Sequence, residues 1–391
     1  MHMRKKRSTI PYSRQHIHRL DIQAVERVLR SYWITQGPAI ERFENALAKK
    51  AGTKYAVAFN SGTAALHGAY FAAGIKAGDE VLVPALTFAA TANAALYLGA
   101  KPVFVDVHLD TGLIDLADAE RNITKKTKAI VPVDYAGRPA DLSSVRTFAK
   151  KNNLAFIEDG AQSLGAAYRG KPVGAQADMT MFSFHPVKSI TTGEGGIITT
   201  DNPGFAQKMK MFRSHGITKD RDLFEEDGYG AWHQEMHALG YNYRMTDFQA
   251  ALGESQLKRL GLFVAKRRMA AKRYEVLLRK IPGIIVPPSS KESAWHLYAV
   301  RLSPEIARHR DTVFAKLRAA GLGVQVHYLP VYMHPYYQKL GYKKRLCPNA
   351  ESFSFSEISI PLFPGITKAD QSYVADTIRV AITTVAKRRG K

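Results

Sequence analysis

Residues 55–74 read Tyr-Ala-Val-Ala-Phe-Asn-Ser-Gly-Thr-Ala-Ala-Leu-His-Gly-Ala-Tyr-Phe-Ala-Ala-Gly, and the change of character at Asn60 decides the fold class. Tyr55–Phe59 is a short apolar run, the pattern of a buried strand. The Ala-rich residues after it predict a helix through Ala73 that stops at Gly74. The unit then recurs, with strands at Glu80–Val83, Pro102–Val105, Lys128–Val133 and Leu154–Glu158. Helices are predicted between them at Phe88–Leu98, closed by Gly99, and at Leu142–Asn152. The strand runs are continuously apolar, as when a parallel sheet is covered on both faces. Such alternation implies right-handed crossovers and an open α/β sheet, with ligands in the crevice at the carboxyl ends of the strands.

The pattern changes near Phe248. One long helical stretch is expected from there to about Arg279, then a Pro-rich break at Ile281–Ser290. A smaller α+β part follows, with a strand near Leu297–Leu302 and a helix near Thr312–Ala320. The 391 residues exceed one ordinary core, so two domains are expected, residues 1–255 and 256–391. Met1 to Arg7 are expected to be frayed.

Hydrophobic residues make up 46% and charged residues 23%, a globular composition. Cys347 is the single cysteine, which excludes an internal disulfide, a Cys-x-x-Cys pair and a thiolate zinc site. The basic Arg4–Arg7 is not followed by the apolar stretch of a secretory leader. The best apolar window, Ala85–Ala100, is interrupted by Thr87, Thr91 and Asn93, and falls short of the roughly 20 apolar residues of a membrane span. A cytoplasmic protein is expected. The net charge of +22 fits attraction of small anionic substrates. A nucleic-acid partner is the weaker reading: the basic clusters Arg4–Arg7, Lys266–Arg268, Lys343–Arg345 and Lys387–Arg389 are scattered, with no aromatic-interleaved module beside them.

Three motifs fall short of chemistry. Gly165-Ala-Ala-Tyr-Arg-Gly-Lys171 matches most of a phosphate loop, but Pro172 stands where Ser or Thr must hold magnesium. His233-Gln-Glu-Met-His237 places two histidines at i and i+4, with the glutamate one position too late for a zinc hydrolase. Surface histidines are the better explanation, and no metal is expected. Gly193-Glu-Gly-Gly196 is too short for a dinucleotide fingerprint and precedes a strand.

A different constellation survives. Asn60-Ser-Gly-Thr63 joins a strand end to a helix start, where free N–H groups and the helix dipole suit a phosphate; an ordinary Ser or Thr N-cap is the competing reading. Asp159 ends an apolar strand and faces the crevice, either pairing with a cation or closing a turn. Lys188, in Phe182-Ser-Phe-His-Pro-Val-Lys188, lies among aromatic and apolar residues, where a lowered pKa would make an amine nucleophilic; a surface lysine is the competing reading. Pyridoxal phosphate needs a phosphate cup, a ring platform, a carboxylate for its ring nitrogen and a lysine for its aldehyde, and these signals occur together.

With those residues in view, the chain resembles the DegT/DnrJ/EryC1/StrS family of sugar aminotransferases from Pro11 to about Pro364. The likeness is carried by Asn60–Leu66, Pro84–Thr91, Glu158–Ser163, Ser183–Lys188, Gly193–Gly196 and Gly240–Asp247. Within the family the chain is similar to transaminases of the pseudaminic acid pathway at Gly323–Pro330, Tyr332–Tyr337 and Cys347–Glu351.

The resemblance implies the fold type I, aspartate aminotransferase-like architecture: a large, mostly parallel mixed-sheet domain and a smaller α+β domain. It implies pyridoxal 5′-phosphate bound to Lys188 as a Schiff base, with Asp159 on the ring nitrogen, Phe88 stacked on the ring and Gln162 at the ring or phenolic oxygen. Gly62, Thr63 and Ser183 would hold the phosphate, with Asn242 reaching in from the other subunit of a homodimer. Tyr12, Ser61 and His327 would lie near the sugar nucleotide, with Ser183 and Asn242 also touching substrate. Two positions depart from the family pattern: Pro186, where a small residue is common, and Gln162, where many members have His. The implied reaction moves an amino group from L-glutamate to C4 of a UDP-4-keto-6-deoxy-N-acetylhexosamine. The rivals are another 4-keto or 3-keto nucleotide sugar, of the perosamine or aminoarabinose type, and a regulatory homologue without catalysis.

Overall fold

The computed structural model describes residues 9–226 and 230–387. The fraying expected of Met1 to Arg7 lies outside the described residues, as does most of the basic cluster Lys387–Arg389.

Seven strands form the central sheet: β1 (Tyr55–Phe59), β2 (Glu80–Pro84), β3 (Lys101–Val105), β4 (Thr127–Ile130), β5 (Ala155–Asp159), β6 (Met179–Ser183) and β7 (Gly196–Thr200). Their spatial order is β1-β7-β6-β5-β4-β2-β3. The run from β3 to β6 is parallel, whereas β7 is antiparallel to both β1 and β6. The sheet is therefore mixed and mostly parallel, as the resemblance implies. The physical reason is the connection from β6 to β7, residues 184–195, which returns as a loop without a crossover helix.

Burial on both faces is visible along single strands. Val81 and Val83 join the core beneath α3 (Gly62–Ala72) and α4 (Ala89–Tyr97), while Leu82 between them joins Leu142 and Val145 of the helix Leu142–Lys151. Alternate residues thus serve two apolar layers.

The expected single helix from Phe248 to Arg279 is two helices, Asp247–Leu257 and Leu260–Leu278. The break is at Arg259, whose backbone (φ −110°, ψ 4°) leaves the helical region. Its guanidinium pairs with Asp21, which is fully buried and also accepts hydrogen bonds from Ser255 and Gln256. The expected domain boundary at 255/256 falls inside the first of these helices.

A second, antiparallel sheet is built from Ile284–Ile285, Tyr298–Leu302 and Glu357–Ile360. The helices Arg310–Ala319 and Lys368–Lys387 pack their apolar faces on it. The N-terminal arm belongs to this layer: Ile10 donates its N–H to Gly321 and accepts from Gly323, and Tyr12 accepts from Leu362.

Two motifs set aside as non-chemical have plain structures. Gly165–Lys171 contains a hairpin, Ala167–Tyr168 against Lys171–Pro172, turned by Arg169 (φ 50°) and Gly170 (φ 77°). The His233–His237 segment is not helical; both imidazoles lean on the carboxylate of Glu235, which is part of a strand pair with Ile217–Thr218.

Gly196 brings β7 against the start of α3. A Cβ there would stand 2.5 Å from the Ser61 carbonyl oxygen and 2.7 Å from the Gly62 nitrogen. Gly196→Ala is therefore expected to lower stability by about 1–3 kcal/mol in a denaturant melt, by overpacking. Gly261→Ala, where nothing stands within 4 Å, is the control, expected neutral or stabilising by at most about 1 kcal/mol.

Candidate active site

The carboxyl ends of β1, β5 and β6 open onto one cavity of about 400 Å³, within the size range of small-molecule sites. Ser61, Gly62 and Thr63 line it where β1 gives way to α3. The first N–H groups of a helix have no carbonyl partner within it, so this end carries the positive pole. The Ser61 hydroxyl caps α3 by accepting from the Ala64 N–H at 3.0 Å, so the ordinary capping reading is realised in the same turn. Ser183, at the end of β6, stands opposite: a Cβ on Gly62 would lie 3.3 Å from its Oγ. Together they form a cup of backbone amides and one hydroxyl, suited to a phosphate.

Asp159 closes β5 and is 4% exposed. Its Oδ2 accepts from the Thr91 hydroxyl at 2.7 Å and its Oδ1 from the Ala161 N–H at 3.1 Å. Burial raises its pKa, opposed by these two bonds and by the positive field of Lys188. Lys188 lies on the loop after β6. Burial lowers its ammonium to about 8, with Asp159 pulling the other way. An amine with that pKa is substantially neutral near physiological pH, which is the nucleophilic state.

The loop is pinned at the residue before the lysine. The Val187 carbonyl accepts from Ser13 Oγ of the N-terminal arm at 3.2 Å and from Arg267 Nη2 at 3.3 Å. Arg267 is almost fully buried; its Nη1 also donates to the carbonyls of His296 and Leu362. Sequence reading counted it within a basic surface cluster, whereas it is an internal anchor.

Phe88, at the N-cap of α4, is 62% exposed and faces the cavity, its ring 6.1 Å from that of Tyr328. Tyr12 and His327 line the opposite wall with ring centroids 5.8 Å apart. Gln162 is also in the wall, but both ends of its amide have protein partners: Oε1 accepts from the Ala136 N–H at 2.7 Å, and Nε2 donates to Tyr328 Oη at 2.9 Å. Asn242 alone of the expected residues does not line the cavity; it is exposed, and its carbonyl lies 3.5 Å from Asn60 Nδ2.

Four residues were missed. Thr91 and Thr87 form a hydroxyl chain, 2.8 Å apart, leading to Asp159, and their signal was present in the Pro84–Thr91 motif. Tyr328 follows His327 directly. His296, 3% exposed, lines the cavity with a buried Nδ1 that has no hydrogen-bond partner. Burial and the nearby charges of Lys188 and Arg267 hold it well below the usual histidine range, as a neutral ring. Its sequence signal was weak, one histidine in an apolar run.

Among the described residues, no cluster of His, Cys, Asp or Glu is placed to hold a metal, and no helix is long and apolar enough to cross a membrane. The cavity's contents fit pyridoxal phosphate: an amide-and-hydroxyl cup, a buried carboxylate, an exposed aromatic face and a lysine of lowered pKa.

The comparisons agree with that fit. A curated transaminase from Campylobacter jejuni, UDP-4-amino-4,6-dideoxy-N-acetyl-beta-L-altrosamine transaminase, is 41% identical over 97% of this chain and 99% of its own. The solved structure of Helicobacter pylori PseC, described as an aminotransferase of pseudoaminic acid biosynthesis, superposes with a TM-score of 0.91. It is 34% identical, covering 96% of this chain and all of its own. A putative sugar aminotransferase from Streptococcus pneumoniae, Spr1654, matches in its PLP-form with a TM-score of 0.89 and 31% identity, over 96% of this chain and 99% of its own. The family model of the DegT/DnrJ/EryC1/StrS aminotransferases matches residues 15–379. The chain has the α/β aminotransferase fold and belongs to this pyridoxal-phosphate-dependent family.

Proposed function

We propose that the protein transfers the amino group of L-glutamate to C4 of a UDP-4-keto-6-deoxy-N-acetylhexosamine, a precursor of pseudaminic acid. The observation that carries the reaction type is the pairing of Asp159 with Lys188 in one cavity beside the phosphate cup. The substrate reading rests on the names of relatives aligned along nearly the whole chain, and on the charge of +22, which favours an anionic diphosphate and an acidic donor. The buried single thiol, Cys347, is in keeping with a cytoplasmic enzyme.

When bound, the cofactor supplies an electron sink and a reversible carrier for the amino group. The protein does the rest. Gly62 and Thr63 N–H groups and the Ser183 hydroxyl hold the phosphate. Phe88 covers one face of the ring. Asp159 keeps a proton on the ring nitrogen, and Thr91 orients the carboxylate. The Nζ of Lys188 would take the proton from Cα of the amino donor and return it two bonds further along, at the cofactor's C4′ carbon, a role worth about 10²–10⁴-fold. Gln162, held by Ala136 and Tyr328, presents its amide beside the ring. Tyr12, Ser61 and His327 contact the sugar nucleotide, and Asn242 of a second copy reaches the phosphate and the substrate.

The first test is an absorption spectrum of the protein reconstituted with cofactor and then given glutamate. A visible band that shifts to the near ultraviolet establishes the donor half-reaction; its absence defeats the proposal. Candidate UDP- and GDP-keto sugars then compete for the amino group, and preference for a sugar of perosamine or aminoarabinose type would replace the substrate assigned here. Lys188→Ala is expected to fold but lose turnover and the visible band. Asp159→Asn is expected to fold and lose about 10²-fold or more in kcat. The rate at which apoprotein captures cofactor is expected to rise with pH through about 8, because the neutral amine of Lys188 is the reactive form. Light scattering is expected to give the mass of a dimer; a monomer would remove Asn242 from the site.

A further inference from the structure

Behind the cavity wall runs a chain of hydrogen bonds that the reaction above does not use. His327 Nδ1 lies 2.8 Å from Ser359 Oγ, and Ser359 Oγ lies 2.5 Å from Glu357 Oε1. The other carboxyl oxygen, Oε2, accepts the backbone N–H of His327 at 2.8 Å. Glu357 is fully buried and Ser359 is 1% exposed, and neither lines the cavity. Because Nδ1 is engaged by Ser359, Nε2 is the ring nitrogen left to meet a ligand.

We propose that Glu357 and Ser359 form a proton relay that sets the tautomer of His327, so that a carboxyl group outside the cavity determines whether Nε2 donates to a ligand or accepts from it. The hydroxyl of Ser359 has one proton and must send it one way. When Glu357 is neutral, its O–H points to Ser359, the Ser359 O–H points to Nδ1, and Nε2 carries the ring proton. When Nε2 gives that proton to a ligand oxygen, Nδ1 takes the proton of Ser359, Ser359 takes that of Glu357, and Glu357 is left as the carboxylate. One proton leaves at Nε2 and one negative charge remains at Glu357, so the balance closes. The reverse sequence accepts a proton from the ligand. This rests on His327 facing the sugar nucleotide, as in the reading above.

The surroundings put the switch in an accessible range. Burial pushes the Glu357 carboxyl up to about 8, opposed by the bonds from Ser359 and the His327 N–H and by the charge of Arg310. Arg301 stands opposite Glu357 on the neighbouring strand, and Tyr135 and Tyr328 face it from the cavity side. Burial and Lys188 hold the His327 ring down at about 4, so His327 stays neutral while its tautomer changes. Below pH 8 the donor form prevails, and above it the acceptor form.

The test uses holoenzyme labelled with ¹⁵N-histidine, in which the pyrrole-type and pyridine-type nitrogen signals of His327, assigned by their loss in His327→Asn, report the tautomer directly. In the native protein the two signals are expected to exchange character as pH passes about 8. Glu357→Gln, whose amide can only donate to Ser359, is expected to hold Nε2 protonated at every pH and to remove the inflection near 8 from kcat/KM. Ser359→Ala is expected to uncouple the ring from pH, and Ser359→Thr to restore the coupling. Unchanged tautomer and pH response in Glu357→Gln, or in Ser359→Ala should the first variant not fold, overturns the relay. The spectra need no sugar substrate, so a wrong substrate assignment leaves this result readable.

Discussion

Burial sets the terms on which Asp159 and Lys188 coexist. Removing a carboxylate and an ammonium from water disfavours the charge of each, and the opposite charge nearby restores part of what is lost. Burial has the larger hand in both: Asp159 is raised and Lys188 lowered despite their attraction. The amine of Lys188 is therefore readily neutral, while the carboxylate of Asp159, disfavoured by burial, is supported by Thr91, the Ala161 N–H and the charge of Lys188. A neutral amine is what a nucleophile requires, and a carboxylate fixed by hydrogen bonds is what would keep a proton on a ring nitrogen. Much of the scaffold serves this arrangement. β5 delivers Asp159 at its carboxyl end, the Thr87–Thr91 chain aims it, and the loop after β6 returns Lys188 to the same space.

That loop has little regular structure of its own, and its position is imposed by distant parts of the chain. Ser13 from the N-terminal arm and Arg267 from the helix Leu260–Leu278 meet on the Val187 carbonyl, one residue from the lysine. Arg267 ties the same point to His296 and Leu362, which extend from one end of the small sheet, just before Tyr298 and just after its partner Ile360. A guanidinium suits this task because its planar set of donors can satisfy several carbonyls at once, and it remains charged even where burial brings its pKa to about 10. The small sheet and the arm thus act on the lysine through backbone carbonyls, and on the cavity through Tyr12, His296 and His327.

The legible part of the fold was the part dictated by local pattern. Tyr55–Phe59 matches its strand, and the predicted helices over Leu142–Asn152 and Thr312–Ala320 differ from the observed ones by a residue or two at each end. The features that the local pattern does not carry share a cause. The break at Arg259 depends on Asp21, more than two hundred residues earlier, and the antiparallel β7 depends on how a glycine-rich loop returns. Neither leaves a mark in a local window. The site follows the same division. Motif residues such as Ser61, Gly62, Thr63, Asp159 and Lys188 converge on one cavity, while His296 acquires its place only through packing. Asn242 cannot be placed by a single chain, since its expected role is in a second copy.

The charge of +22 is consistent with this site once buried groups are separated from surface ones. Arg267, counted in a basic cluster, contributes to internal anchoring, whereas most of the remaining excess is spread over the surface. Asp159 and Glu194 are the acidic residues that line the cavity; Asp134, Glu158 and Glu357 are buried outside that lining, and these three and Asp159 are raised in pKa by burial. Burial disfavours the charged form of these four groups, which weakens the negative field they would otherwise set against an incoming phosphate or carboxylate. A basic exterior then attracts an anion over a distance of about a Debye length. The burial that raises Asp159 and Glu357 thus also limits how far the interior repels the anionic molecules that the exterior draws in.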